Sequence, residues 1–161
     1  MLEWQTSTGG DGGVEIRLSG DLTEKVDLSE LEITGDSVLL IADGVRHINS
    51  QGVKRLFDFI KTLAETTKIS VSRCSPSFVH QLNMVPGLVQ FIEIRSVIAP
   101  LECTECVAEA DTLVPVNGEA RLPQLPNRAC EICGADMELA ELEERYFAFA
   151  KPAPEAEPNS D

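Results

Sequence analysis

Four cysteines in two close pairs constrain the fold of this 161-residue chain more than any other feature. Cys103 and Cys106 form one Cys-x-x-Cys pair, and Cys130 and Cys133, followed by Gly134, form a second after a spacer of 23 residues. Each tight turn aims two thiolates at one point, and four such sulfurs complete the tetrahedral shell of a zinc ion. We therefore predict one Zn²⁺ ion held by all four side chains.

The predicted metal is structural. Four thiolates close the shell and leave no position for a reactive water. The surrounding segment of about 30 residues has only "TLVPV", "EARLPQLP" and "MEL" as strand material, too little apolar burial to offset its chain entropy, whereas zinc binding contributes about 10 to 16 kcal/mol. A thioredoxin-like redox pair is the alternative, but it needs one Cys-x-x-Cys at a helix start, and a second pair would be superfluous.

Composition places the chain among folded proteins of aqueous compartments. No stretch approaches the roughly 18 apolar residues that cross a bilayer. The start "MLEWQTSTGG" has neither a basic region nor an apolar run, so we expect no secretion signal and a cytoplasmic location. Five cysteines, an odd number, also argue against a disulfide framework.

Charge narrows the classes of partner. With 27 acidic and 13 basic residues, the formal net charge is -14. Such a surface repels a phosphate backbone, so nucleic acid is a poor default partner. Acidity is consistent with a merely solvated surface or with steering toward a basic protein surface, and it does not choose between them.

Alternating and continuous apolar runs predict the strands. "GVEIRLSG" alternates apolar and polar residues, and Leu2 and Trp4 suggest a partner strand joined to it through the turn "TGGDGG". "SVLLIA" (37–42) is apolar almost throughout, so we expect a central strand buried on both faces. "KISVSR" is a further strand, and "VQFIEIRSVIAP" supplies one of about six residues ending before Pro100.

Helical periodicity is clearest from Ser50, where apolar residues recur at offsets of 3, 4 and 7. A shorter helix starts with Ser75 as cap and Pro76 at the first helical position, and Pro86-Gly87 ends it. Around Leu28 and Leu31 there is room for about two helical turns at most. The order β-β-(short α)-β-α-β-α-β predicts an α/β fold with an open mixed sheet and packed helices.

Three units are expected along the chain. Residues 1–100 form the α/β domain, residues 101–150 form a small zinc-binding unit with a C-terminal helix, and the Pro- and Glu-rich residues 151–161 form a disordered tail. In the C-terminal helix, Leu139, Leu142, Tyr146 and Phe149 fall on one stripe. We expect that stripe to pack on its own domain rather than on a partner.

Three stretches, "LSGDL", "INSQGVKRLFDFI" and "KISVSRCSPSFVHQLNMV", together with the element order, resemble the STAS family. That family includes bacterial anti-sigma-factor antagonists. The resemblance covers about two thirds of the chain, and Ser50 matches the family's phosphorylatable serine. It departs from the family at Asn49, where an acidic residue is usual, and at Gln51, where a second serine is frequent.

The resemblance implies a protein-binding role. In the family, an unphosphorylated domain binds an anti-sigma factor with an ATP-binding kinase fold, which phosphorylates the serine and so releases itself. By analogy, the partner here is an anti-sigma factor or another ATPase-type kinase. The docking face would comprise Asn49, Ser50, Gln51, Gly52 and Lys54. A constitutive scaffold that uses the same face, or the metal-binding unit, is the alternative.

Ser50 can be weighed without the family. As a helix cap, its hydroxyl would stabilise the helix by about 1 kcal/mol. If phosphorylated, it would hold nearly two negative charges at the positive end of the helix dipole, which tolerates an anion. Both interpretations stay open. Gly52 in the first turn would leave the helix backbone open to close approach.

The four-cysteine segment resembles a zinc ribbon, a motif found in rubredoxin-like and nucleic-acid-associated proteins. Only Arg121 and Arg128 are basic between Cys103 and Cys133, so nucleic-acid binding by the ribbon is the weaker alternative.

Catalysis is not expected. A Ser50-His47-Asp43 triad lacks oxyanion donors and a nucleophile elbow, and no phosphate loop or cofactor motif is present. We expect His80 to be a partly buried imidazole and Cys74 a small buried apolar residue. The sequence therefore predicts a binding protein rather than an enzyme.

Overall fold

A computed structural model describes residues 2–8, 13–31, 33, 35–116 and 128–150. Residues 9–12 of the predicted hairpin turn, the stretch "EARLPQLP" and the predicted tail lie outside the described residues. The strands are β1 Glu3–Thr8, β2 Val14–Leu22, β3 Ser37–Ile48, β4 Lys68–Ser72, β5 Glu93–Ile94, β6 Ser96–Cys103, β7 Glu109–Pro115 and β8 Met137–Leu139. The helices are α1 Ser50–Leu63, α2 Pro76–Met84 and α3 Glu143–Tyr146, with 3-10 turns at Leu28–Glu30, Pro86–Gln90 and Ala148–Ala150.

The larger sheet has five strands in the order β1-β2-β3-β4-β5. Strands β1 and β2 form the predicted antiparallel hairpin, from Glu3 opposite Ser19 to Thr8 opposite Val14. The pairs β2-β3, β3-β4 and β4-β5 are parallel, and they are joined by crossovers that contain the helices. This arrangement confirms the predicted mixed α/β sheet and the central position of β3.

The two faces of this sheet differ. Val38, Leu40 and Ala42 of β3 are buried, whereas Leu39 and Ile41 between them are half-buried. The prediction that this strand is buried on both faces was therefore wrong, because the helices cover only one face. The other face carries polar side chains: the carboxylate of Asp43 pairs with Arg17 at 3.2 Å and with Arg73 at 2.9 Å.

The helices follow their sequence signals. Helix α1 begins at Ser50 and buries Leu56 and Ile60. Ser75 caps α2 by accepting a hydrogen bond from Phe78 N at 3.2 Å, as predicted. The element around Leu28 is a single 3-10 turn. In the described part of the chain, no helix combines the length and apolar character needed to span a membrane.

Strand β6 joins the large sheet to a second, antiparallel sheet of order β7-β6-β8. At its start, Cys74 N donates to Ser96 O at 3.1 Å and Ile98 N donates to Cys74 O at 2.8 Å. The predicted boundary at residue 100 falls within this strand. Buried residues of the second part, such as Val114 and Tyr146, also belong to the same core as the large sheet. The division into two units stays a prediction.

The prediction that this strand ends before Pro100 was wrong. The strand material divides into β5 and β6, and β6 continues through Pro100 to Cys103. Strand β8 pairs only with residues 101–103, and just beyond it the carbonyl of Pro100 accepts from Ala140 N at 2.9 Å. At this position the hydrogen-bond ladder needs only the carbonyl of Pro100, so the missing backbone N–H of proline does not interrupt the strand.

The predicted C-terminal helix is mostly absent. Leu139 ends strand β8, helix α3 is a single turn, and Leu142 is exposed. The expectation of intramolecular packing holds for Tyr146, which is fully buried beside Phe147 with ring centroids 5.3 Å apart. Its hydroxyl donates to the carbonyl of Ile98 at 2.6 Å, so the C-terminal segment is fastened to β6.

Asn83 of α2 holds this segment through its backbone. The side-chain amide donates to the carbonyls of Arg145 and Tyr146 at 3.1 and 3.0 Å, and its oxygen accepts from Phe149 N at 2.8 Å. One side chain therefore satisfies three backbone groups, two carbonyls at the end of α3 and one N–H in the 3-10 turn that follows it.

We predict that Asn83→Ala lowers the free energy of unfolding by about 2 to 3 kcal/mol, because it leaves those backbone groups without partners. Urea denaturation followed by circular dichroism measures the change. Gln81→Ala, on the same helix, is the control and should cost less than about 0.5 kcal/mol. Equal stability of the two variants would contradict this role of Asn83.

Candidate functional site

The cap of helix α1 is Asn49, not Ser50. Asn49 has extended backbone angles (φ -97°, ψ 176°), and its Oδ1 accepts a hydrogen bond from Gly52 N at 2.8 Å. The cap must adopt a non-helical conformation, and Ser50 is already the first helical residue. The predicted capping role of Ser50 was therefore wrong. Its hydroxyl forms no hydrogen bond with the part of the chain that the structure describes.

Gly52 fixes the first turn of α1 against the end of β2. A Cβ atom on Gly52 would overlap the carbonyl group of Leu22 and would lie 2.8 Å from Thr23 N. Asn49 N also donates to Leu22 O at 3.2 Å. Only glycine permits this approach.

The predicted docking residues occupy one turn but are not equally accessible. Asn49, Ser50, Gln51 and Lys54 are exposed, whereas Gly52 is buried beneath them. Gly52 can therefore position a docking face, but it cannot contribute contact area. We call the four exposed residues the α1 face.

Glu24 is a further member of this surface. Asn49 Nδ2 donates to Glu24 Oε1 at 2.8 Å, and this hydrogen bond is the main reason why the pKa of Glu24 lies below its ordinary value. Lys25 and Arg55 lower the same pKa. Sequence analysis missed Glu24 because it lies 25 residues from Asn49, and no local pattern links the two.

The four paired cysteines converge in space. Their sulfurs all lie within 4.8 Å of one another, with Cys103 and Cys133 at 3.4 Å and Cys106 and Cys130 at 3.7 Å. Tetrahedral coordination with metal–sulfur bonds of about 2.3 Å requires sulfur–sulfur distances of about 3.8 Å. The cluster can therefore hold a metal ion, and all four thiols are free of disulfides.

Backbone amides surround the sulfurs. Cys103 Sγ accepts from Glu105 N at 3.3 Å and from Cys106 N at 3.4 Å. Cys106 Sγ accepts from Ala108 N at 3.5 Å, and Cys130 Sγ accepts from Ile132 N at 3.4 Å. Amide donors stabilise thiolates, which are the form that binds metal.

The pKa values of these thiols depend on the amides and the other sulfurs close to them. Amides of Cys133 and Ile132 lower the pKa of Cys130 to about 6. The Ala108 amide also lowers the pKa of Cys106. The hydrogen bond between the Cys106 and Cys103 side chains, together with desolvation, outweighs it and raises the pKa of Cys106 to about 12. Four neighbouring thiolates need a cation to coexist, and a bound divalent metal would provide it.

Glycine completes the second of the two cysteine turns. Gly134 has φ +80°, and its N–H donates to Cys130 O at 2.9 Å. A side chain is disfavoured at that backbone angle, which explains the Cys-Gly pair in the sequence.

Cys74 and His80 lie outside both the α1 face and the cysteine cluster. Cys74 is fully buried, as predicted, and burial raises the pKa of its thiol. His80 was expected to be partly buried, but it is exposed, and its Nε2 lies 2.8 Å from Glu141 Oε2. That contact links α2 to the segment before α3.

No family model and no curated protein matches the chain. The similarity of residues 13–100 to STAS domains therefore remains a resemblance carried by motifs and element order.

We predict that Asn49→Ala destabilises the protein by about 1 kcal/mol, because Gly52 N loses its acceptor. Ser50→Ala is the control and should change stability by less than about 0.5 kcal/mol. Chemical denaturation measures both variants, and a larger loss for Ser50→Ala would restore the serine as the cap.

An NMR titration reports on the other hydrogen bond of this side chain, from Asn49 Nδ2 to Glu24 Oε1. In Asn49→Ala, the pKa of Glu24 should rise toward its ordinary value. A lowered pKa stabilises the fold above the unfolded-state value and ceases to do so as pH falls through the folded-state value. The part of the Asn49→Ala effect that comes from Glu24 should therefore disappear at acidic pH.

Proposed function

We propose that this protein is a non-enzymatic regulatory module that binds a partner protein through the α1 face. The observation that supports this proposal best is the exposed Ser50 hydroxyl, which is free of the capping role and lies on a turn that Asn49 and Gly52 hold in place. A rigid exposed turn presents the same surface before and after binding, which limits the entropy lost on association. The resemblance to STAS domains adds an anti-sigma factor or ATPase-type kinase as the class of partner.

Phosphorylation of Ser50 is the proposed switch. A phosphate here would lie beside unpaired amides at the helix N-terminus and one turn from Lys54, so the fold can accept it without rearrangement. The same charge would oppose a partner that covers the α1 face, because desolvating a dianion is costly. Asn49 occupies a position where STAS domains usually have an acidic residue, so this turn has one negative charge fewer. The side-chain amide of Asn49 donates a hydrogen bond to Glu24.

We further propose that the four-cysteine cluster binds one structural zinc ion. Tetrahedral coordination by four sulfurs is typical of zinc or iron, and Cys-x-x-Cys pairs with amide-bonded sulfurs are common to both. The shell is closed, so the ion would brace the second sheet rather than react. In the described part of this region, the basic side chains are Arg128 and Arg145, which gives little support to nucleic-acid binding.

We predict one zinc ion per chain, measured by mass spectrometry of protein purified without chelators. Cys103→Ser should lose most of the metal and lower the melting temperature, and Cys74→Ala should retain the metal because that thiol lies outside the cluster. Affinity should fall as pH decreases, since protons compete for thiolates. Iron, or a disulfide in place of metal, would refute the zinc assignment.

The switch predicts different behaviour for two substitutions at one position. Ser50→Ala should bind the candidate anti-sigma-type kinase normally and resist phosphorylation, whereas Ser50→Asp should bind at least about tenfold more weakly. Ser7→Asp, which adds the same charge on the exposed strand β1, is the control. Calorimetry measures affinity, and mass spectrometry maps any phosphate after incubation with ATP.

Two outcomes would decide against the switch. Unchanged affinity of Ser50→Asp for a partner of the wild-type protein would favour the constitutive scaffold. Absence of phosphate from Ser50 with every candidate kinase would remove the phosphorylation step.

A further inference from the structure

We propose that the metal-binding end of the molecule is a second docking surface, which fits a basic protein partner with an exposed apolar face. Two side chains suggest it. Val107 is 96% exposed and Ile132 is 79% exposed, the highest values among large apolar residues in the described part of the chain. Single exposed apolar residues are ordinary, but two at one end of a small unit mark an interaction surface.

Both residues belong to the two turns that hold the cysteine cluster. Val107 follows Cys106 directly, and Ile132 lies between Cys130 and Cys133. The sulfurs of Cys106 and Cys130 are 3.7 Å apart, so the two turns meet at one point. We call this region, comprising Val107, Ile132 and their turns, the metal tip.

The backbone of the metal tip is ordered by its own hydrogen bonds. Ile132 N donates to Cys130 Sγ, and Ala108 N, next to Val107, donates to Cys106 Sγ. Ala108 O also accepts from Cys103 N at 3.0 Å. Apolar side chains on a rigid backbone lose little entropy when a partner covers them, which is the property of interface anchors. This rigidity rests on the proposed metal.

The rim of the metal tip determines the chemistry of the partner. Every charged side chain within three residues of a cluster cysteine is acidic except Arg128, and those acidic side chains are exposed: Glu102, Glu105, Glu109, Glu131 and Asp136. Arg128 is itself engaged, with Asp111 O at 2.6 Å and Glu131 at 3.8 Å. An apolar centre with an acidic rim complements an apolar face bordered by Lys and Arg, and it repels nucleic acid.

The test uses the metal-loaded full-length protein and a defined probe. The probe is a 14-residue amphipathic peptide of leucine and lysine, and the matched peptide carries glutamate in place of lysine. Calorimetry measures affinity at low and high salt, and ¹⁵N NMR maps the contact. Metal content is measured on every sample.

We expect the lysine peptide to bind and its amide shifts to be confined to residues 102–109 and 130–136. The double variant Val107→Ser, Ile132→Ser should weaken binding about tenfold, while Met84→Ser, an exposed apolar control on α2, should not. Glu105→Lys with Glu131→Lys should weaken binding and reduce its salt dependence. Ser50→Asp should leave it unchanged, which separates this proposal from the one for the α1 face.

Four results would overturn the proposal: equal binding of the glutamate peptide, shifts spread over the whole surface, an equal loss in Met84→Ser, or unchanged affinity of the double variant with metal retained. Sedimentation provides a further check. A dimer of the wild-type protein that the double variant dissociates would identify a second copy of this chain as the occupant, and so would refute the basic partner.

Discussion

Strand β6 is the element on which the rest of the structure depends. Its first half hydrogen-bonds to Cys74, next to the large sheet, and its last residue, Cys103, is a member of the cysteine cluster. Between these ends, the carbonyl of Ile98 accepts from the Tyr146 hydroxyl and that of Pro100 accepts from Ala140. The segment that carries the four cysteines has little core of its own, so a strand rooted in the larger core stabilises it, and a metal ion held by the cluster would stabilise it further.

The start of α1 is fixed by a different kind of constraint. Steric exclusion of any side chain at Gly52 lets the helix contact the end of β2, and the Asn49 side chain completes the turn. Packing therefore orders the backbone beneath Ser50 while leaving its side chain in solvent.

Sequence reasoning succeeded where the signal was local or repetitive. The mixed sheet, both long helices and the meeting of the four cysteines follow from periodicity, caps and fixed spacing. It failed where contacts between residues far apart in the sequence determine the structure. Burial of only one face of β3 depends on which side of the sheet the crossovers lie. The C-terminal stripe is a strand and one helical turn because the Tyr146 hydroxyl bonds to β6 and Asn83 bonds to the backbone around Tyr146. Capping preference could not choose between Asn49 and Ser50, since both residue types cap well, and Glu24 lies too far from Asn49 in sequence for any local pattern to link them.

The α1 face and the metal tip both project from the carboxyl edge of the parallel strands. Ser50 follows the end of β3, and β6, which runs parallel to the chain at Cys74, continues six residues beyond Val97 to Cys103. Strand β4 lies between β3 and β6. Two strand spacings therefore separate β3 from β6, a lateral distance of about 10 Å at least. That exceeds the screening length of about 8 Å at physiological salt. Charge added at Ser50 therefore acts on a partner that covers Ser50 and has little effect on one that contacts only the metal tip, although a single large partner can reach both surfaces.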